Sequence, residues 1–321
     1  MKIVRGLRNL TEKPVKPVIT LGNFDGVHVG HKEIFLKVIE HAKNIGGTSV
    51  VYTFDPHPLK ILAPERNLTL LTTFKKKMEL IAACGIDMTI CADFTREFAR
   101  MHPRDFAKKL KGGLDMDVVY VGHDYSFGRG KSGTIDYLKK MGAELGFDVE
   151  VVDAVNVDGE RVSSSAIRSL LVDGNIRKAT RFLGRYYSIA GKVVSGYHRG
   201  KTIGFPTANL DTPYELIPAI GVYAVFARVS HGKWHRGVVN IGYNPTFNRD
   251  DFIVEVHLLD HEEDIYGSEI EIYFVERLRD EQTFKNVEAL KGQITKDVVR
   301  AKKILEKELF LETVINPRIV L

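Results

Sequence analysis

Cysteine is almost missing from this chain. Cys84 and Cys91 are the only two in 321 residues, too few for a disulfide framework or a thiolate zinc site. No run approaches the roughly 18 apolar residues of a membrane span, and Met1–Leu10 lacks the continuous apolar core of a secretory signal, so a cytoplasmic protein is expected. Tandem repeats and low-complexity tracts are absent. No long basic stripe with interleaved aromatics occurs, which removes nucleic acid from the expected partners. Charge of either sign is barely in excess, at +5 from 46 basic and 41 acidic residues. What remains is ample apolar material: 44% hydrophobic residues exclude a disordered chain, and the length suggests about two domains.

The charge is unevenly divided. Residues 1–185 hold 29 basic and 22 acidic residues, while 186–321 hold 17 and 19. A mildly basic half suits anionic ligands such as nucleotides, or is simply a solvated face. The hydrophobic period changes at the same place. Strand-like runs at Pro17–Phe24, Thr48–Phe54, Met88–Cys91, Asp117–Gly122 and Val149–Asp153 alternate with helical patterns at Gly30–Asn44, Phe74–Cys84, Pro103–Lys111 and Thr134–Gly146. That alternation predicts an α/β domain on a mostly parallel sheet, with ligands at the carboxyl ends of its strands. Beyond helices at Ser164–Leu171 and Ile176–Leu183, the runs Tyr187–Val194, Gly221–Val229, Trp234–Ile241, Phe252–Leu259 and Glu269–Arg277 follow closely, before a long amphipathic helix at Thr283–Leu309. This predicts an antiparallel β-barrel or sandwich closed by a terminal helix. The expected domains are 1–183 and 184–321.

The first strand runs into Gly22-Asn23-Phe24-Asp25-Gly26-Val27-His28-Val29-Gly30-His31 and then a helix. Glycines allow close backbone approach to a phosphate, and a helix start offers unpaired N–H groups and the positive end of a dipole. His28 and His31 can donate to charge developing on a phosphoryl group. About 0.03 His-x-Gly-His matches are expected by chance at this composition; the bland alternative is two surface histidines in a turn. Ser163, Ser164 and Ser165 open a helix and set Arg168 near its first turn, a combination that makes either a phosphate clamp or an ordinary cap. Phe54-Asp55-Pro56-His57-Pro58 places an aromatic and two prolines at a strand end, a wall for a planar ligand or a structural turn.

Together with Gly122-His123-Asp124-Tyr125-Ser126-Phe127-Gly128 and Ser163–Arg168, the segment Gly22–His31 resembles the nucleotidyltransferase superfamily. It is more similar still to the FMN adenylyltransferase module of bacterial bifunctional riboflavin kinase/FAD synthetases. The resemblance implies a Rossmann-like fold, with His28, His31 and Arg168 at the reacting phosphates. It implies nucleotide contacts from Gly22, Asn23, Phe24, Asp25, Gly26, Gly30 and Ser163–Ser165. Flavin contacts are implied for Phe54, Pro56, His57, Pro58, Asp124, Tyr125 and Phe127. His123 and Tyr125 stand where the family usually has Glu and Phe.

Gly130-Lys131-Ser132 and Gly200-Lys201-Thr202 imitate the end of a Walker A loop, but the earlier glycine that motif needs is replaced by Tyr125 and Ser195. The stretch Gly191–Leu210, with Gly204-Phe205-Pro206-Thr207-Ala208-Asn209 at its core, instead resembles the riboflavin kinase signature. The resemblance implies ATP contacts from Gly196, Lys201 and Gly204, and Mg²⁺ held by Thr207 and Asn209, whose oxygens suit a hard cation. In Phe252–Leu258 alternation puts Phe252, Val254, Val256 and Leu258 on one face and Ile253, Glu255 and His257 on the other. By period alone Glu255 faces solvent or lines a cavity; the resemblance implies the second, as catalytic base.

The expected chemistry is riboflavin + ATP → FMN + ADP, then FMN + ATP → FAD + pyrophosphate. The implied ligands are riboflavin, FMN, FAD, ATP and Mg²⁺, with no membrane and no protein partner beyond weak self-association. The alternatives are a chain with one active module, or a nucleotide-binding regulatory or scaffold protein.

Overall fold

Apolar runs too short for helices and too continuous for half-exposed strands set the core of the first half. The computed structural model describes residues 1–194, 203–230, 232–243, 252–261 and 263–308. Its packing divides the chain after Ser164 into two units.

The first unit contains β1 (Lys2–Arg5), β2 (Pro17–Leu21), α1 (Val29–Asn44), β3 (Thr48–Asp55), α2 (Pro58–Leu62), α3 (Phe74–Ala83), β4 (Met88–Asp93), α4 (Arg96–Ala99), α5 (Pro103–Leu114), β5 (Val118–Gly122), α6 (Ile135–Leu145), β6 (Asp148–Val152) and the ribbon β7 (Asn156–Val157) with β8 (Glu160–Arg161). Six strands form one sheet in the order β1-β4-β3-β2-β5-β6, every pair parallel. All five residues of β2 are buried, as a strand covered on both faces requires. Phe35 and Val38 of α1 share one core with Met78 and Ile81 of α3, whereas Phe106 and Leu110 of α5 share the other with Leu138 and Met141 of α6. The chain builds outward from β2 to β4 and then crosses back to β5 on the far side of β2. That reversal makes the carboxyl ends of β2 and β5 the topological switch point of the sheet, the place where ligands of such sheets bind. The short β1 was not anticipated, because an edge strand that buries only Val4 leaves almost no periodic signal.

α7 (Ser164–Val172) and α8 (Ile176–Leu183) lead into β9 (Tyr187–Val194), β10 (Ala208–Asp211), β11 (Gly221–Val229), β12 (Trp234–Tyr243), β13 (Phe252–Leu258), β14 (Glu269–Arg279) and α9 (Val287–Lys307). The six strands close into an antiparallel barrel in the order β10-β13-β12-β11-β14-β9. Of the barrel and sandwich foreseen, the barrel is found. Residues of one parity, such as Tyr223, Val239, Ile241, Val254 and Val256, fill the interior. Val222, Ala224, Phe226 and Val238, of the other parity, form the outer wall on which Ala301 and Leu305 of α9 pack. Phe252, on the same face of β13 as Val254 and Val256, is 39% exposed at the strand's first position.

α9 begins later than its apolar period suggests because Asn286 caps it, Oδ1 accepting from the Ala289 amide at 2.8 Å. Its one buried charge, Asp297 at 5% exposure, accepts from Arg279 Nε at 2.9 Å and from Gln293 Nε2 at 2.9 Å. Removing one partner of a buried pair strands the other. Asp297→Ala is therefore expected to cost the barrel about 3–5 kcal/mol, read as a lowered urea midpoint for its unfolding. A change below about 1 kcal/mol would mean that the pair behaves as a surface contact.

Candidate active sites

The loop between β2 and α1 is built to turn tightly and stay put. Gly26 adopts φ +82°, and a Cβ there would meet Leu71 Cδ1 at 2.6 Å, so no other residue fits without displacement. Gly22 donates its amide to the Tyr52 carbonyl at 3.2 Å, and the Asn23 carbonyl accepts from Thr53 Oγ1 at 3.1 Å. The Asp25 carboxylate, 4% exposed, accepts from the amides of Leu71 (3.1 Å) and Thr72 (3.2 Å) and from the Thr72 hydroxyl (3.2 Å). The side chain of Asp25 thus braces the nucleotide-motif loop from inside.

His28 caps α1, its Nδ1 accepting from the His31 amide at 3.3 Å. In the neutral ring this acceptor role places the proton on Nε2. The two imidazoles stack with centroids 3.5 Å apart, and Phe24 meets His31 edge-on at 5.2 Å. A Cβ on Gly30 would lie 3.3 Å from the His28 ring, so the glycine gives that ring its room. Both histidines therefore stand together at the start of a 16-residue helix, at the carboxyl end of β2.

The three serines differ in their surroundings. Ser164 Oγ donates to the Asp25 carbonyl at 2.9 Å, tying the start of α7 to the same loop, while Ser163 is half-buried and Ser165 exposed. Arg168 follows one turn along α7 and is half-buried. At the end of β3, Phe54 meets Tyr52, Phe94 and Phe98 edge-on at 5.4–5.7 Å. His57 caps α2 by accepting from the Leu59 amide at 3.2 Å, with Pro58 in the first turn and Pro56 following a cis peptide bond. Tyr125 stacks on Phe127 at 5.6 Å, and burial pushes its phenol far above the usual range. Phe127 is 7% exposed and packs in the core, so it backs Tyr125 from behind. Asp124 is exposed and pairs with Arg161 at 2.7 Å.

On the barrel, register does what side-chain period alone cannot. Glu255 of β13 lies directly opposite Asn209 of β10 on one side and Asn240 of β12 on the other. Asn240 in turn faces Val222, an outer-wall residue, so the row Asn209–Glu255–Asn240 lies on the outside of the barrel. All three side chains are half-buried. The segment leading into β10 runs past the same wall: His257 Nδ1 donates to the Pro206 carbonyl at 2.8 Å, and Phe205 meets the His257 ring edge-on at 5.7 Å. Thr207 is half-buried beside it, and Gly204 forms an exposed turn at φ +88°. Gly196 and Lys201 lie outside the described residues.

Residues 10–166 match the FAD synthetase family and residues 183–305 the riboflavin kinase family. A bifunctional riboflavin kinase/FMN adenylyltransferase of Escherichia coli strain K12 is 37% identical over 305 residues, covering 94% of this chain and 97% of that protein. One of the same name from Listeria monocytogenes is 38% identical over 286 residues, covering 88% and 90%. This chain belongs to the bifunctional riboflavin kinase/FMN adenylyltransferase family. The crystal structure of a macrolide-efflux protein from Streptococcus pneumoniae is also similar, at 29% identity and TM-score 0.87, covering 94% of this chain and 99% of that one. Among the described residues no helix is long and apolar enough to cross a membrane.

Within this family chain, sequence reasoning missed Asn240, Thr72 and Lys77. Asn240 was recoverable: it sits alone between the inner-wall residues Val239 and Ile241, so alternation already turns it outward. Thr72 and Lys77 act through contacts with segments far away in sequence, which no local pattern records.

Proposed function

We infer that this chain makes FMN from riboflavin on its barrel and FAD from FMN on its parallel sheet, with residues 1–183 and 184–321 as the two functional domains. The observation that carries the kinase assignment is the cross-strand row that sets Glu255 against Asn209. A riboflavin hydroxyl is neutral and must lose its proton as the γ-phosphate is transferred; Glu255 accepts it. FMN already carries an ionised phosphate, so its attack on the α-phosphate of ATP needs alignment and charge neutralisation without a base. His28, His31, Arg168 and the dipole of α1 supply these. Tyr125 and Phe54, with Phe127 behind, form the flavin-side wall.

The donor set at Thr207 and Asn209 fits Mg²⁺. Both offer neutral oxygens, and among the described residues no cluster of three or more His, Cys, Asp or Glu can hold a metal ion. A cation held mainly by ATP phosphates needs few protein ligands. Bound there, it neutralises charge on the transferring phosphates. Chelation of Mg²⁺ is expected to stop riboflavin phosphorylation. Asn209→Ala should raise the Mg²⁺ concentration for half-maximal rate about tenfold, the worth of one contact to a charged group. Phosphorylation that persists in excess chelator would rule this assignment out. Cys84 and Cys91 are buried and form no disulfide, which supports a reducing, cytoplasmic setting.

The deciding experiment is purified protein with riboflavin, ATP and Mg²⁺, sampled over time with FMN and FAD separated chromatographically. FMN should rise first and FAD follow. A protein that only binds nucleotides would produce neither.

A further inference from the structure

Lys77 is a buried ammonium to which neither half-reaction assigns a task. It stands on α3 at 9% exposure, and its Nζ donates to three neutral oxygens: the Phe54 carbonyl at 3.0 Å, the Asn23 carbonyl at 3.3 Å and the Thr53 hydroxyl at 3.3 Å. An ammonium has three N–H donors, so this set uses them all. The acceptors come from two segments of the transferase unit. Asn23 belongs to the loop that carries His28 and His31, and Phe54 opens the Phe54–Pro58 segment. The clasp is reciprocal, because Asp25 of the same loop takes the amides of Leu71 and Thr72 just before α3. Packing does not ask for a cation here. Phe74, Met78 and Ile81 already give α3 its apolar stripe, and a buried charge is costly where an apolar side chain would do.

We propose that Lys77 is a positioning residue for adenylyl transfer, fixing the His28/His31 loop against the Phe54–Pro58 segment and setting a positive charge beneath that loop. The proposal rests on reading the loop as the nucleotide site. Misplacing reacting groups by about 1 Å costs on the order of 100-fold in rate, so a clasp at this point has leverage on the chemistry without touching it. Burial holds the ammonium below the ordinary lysine range, and Arg5 on β1 adds to this. Cys91 on β4, Asp25 after β2 and Asp55 on β3 pull the other way.

The test measures FAD formation and riboflavin phosphorylation on the same purified chain for Lys77→Met, Lys77→Arg and His31→Ala. Lys77→Met should lower kcat for FAD formation about 100-fold, with KM for FMN and ATP moving less than about threefold and phosphorylation unchanged. Lys77→Arg keeps the charge in a bulkier side chain and should retain more FAD formation than Lys77→Met. A packing role reverses that order, since methionine fits the slot and guanidinium overfills it; methionine at or above arginine overturns the proposal. If both variants unfold the transferase unit, the wild-type pH profile decides. FAD formation should fall as Lys77 loses its proton, below the ordinary lysine range. Phosphorylation of riboflavin, which has the same ring system, should not fall with it. Coincident profiles overturn the proposal. An inert His31→Ala beside an unimpaired Lys77→Met removes only the role of Lys77, whereas a fully active His31→Ala removes the site reading beneath it.

Discussion

Glu255→Gln should slow riboflavin phosphorylation about 1,000-fold while leaving FAD formation from supplied FMN within about twofold of wild type. The asymmetry follows from the nucleophiles. Glutamine keeps the shape and hydrogen-bonding reach of the side chain but cannot take a proton at neutral pH. The riboflavin hydroxyl then has no acceptor while the new P–O bond forms. The FMN phosphate loses its last proton near pH 6 and meets the second ATP already charged, so its reaction is indifferent to residue 255. The register makes the variant a clean one. Glu255 is half-buried on the outer wall between Asn209 and Asn240, and the barrel interior is filled by Val254 and Val256 of opposite parity. Glutamine there leaves the core unaltered, and the free energy of unfolding should change by less than about 0.5 kcal/mol. Chromatographic separation of FMN and FAD reads both activities from one preparation. Equal loss of both products would sink the claim of two separately built sites; undiminished phosphorylation would remove Glu255 as the base.

The two periods of the sequence were enough to foresee a parallel sheet followed by antiparallel strands and a closing helix. They work because each unit has faces that are buried or not: β2 is apolar throughout since helices cover it twice, and β13 alternates since only one side lines the interior. Period could not decide what the polar face of β13 meets. That needed its neighbours, and Asn209 lies 46 residues earlier in the chain. The same limit explains Asp25. Its place in the motif loop is legible, while its carboxylate's partners Leu71 and Thr72 belong to a segment with no motif at all. Ser164 repeats the pattern: a serine before a helix reads as a cap, yet its hydroxyl holds the Asp25 carbonyl, 139 residues back. In each case the residue type was legible and its partner was not, because loop-to-loop contacts leave no period.

His31→Ala is expected to give the mirror image of Glu255→Gln: FAD formation down by about 100- to 1,000-fold, the range for losing one preorganised donor, with riboflavin phosphorylation within about twofold. His31 is chosen over His28 because His28 has a second duty. Its Nδ1 caps α1, so removing it would also loosen the helix by about 1 kcal/mol and blur the reading. His31 lies inside the helix, where alanine is at least as good a helix former, and its ring stacks on His28 and meets Phe24 edge-on. Loss of rate without loss of fold therefore reports on the imidazole. His31→Gln adds a control, because its amide can still donate toward a phosphoryl oxygen. It should recover part of what alanine loses, by raising kcat more than by lowering KM for ATP, since charge develops as pyrophosphate departs. If glutamine and alanine are equally impaired while both bind ATP as wild type does, donation by residue 31 is not what the reaction uses. If alanine forms FAD at the wild-type rate, the stacked imidazoles at the head of α1 are an ordinary turn and adenylyl transfer must be sought elsewhere on the sheet.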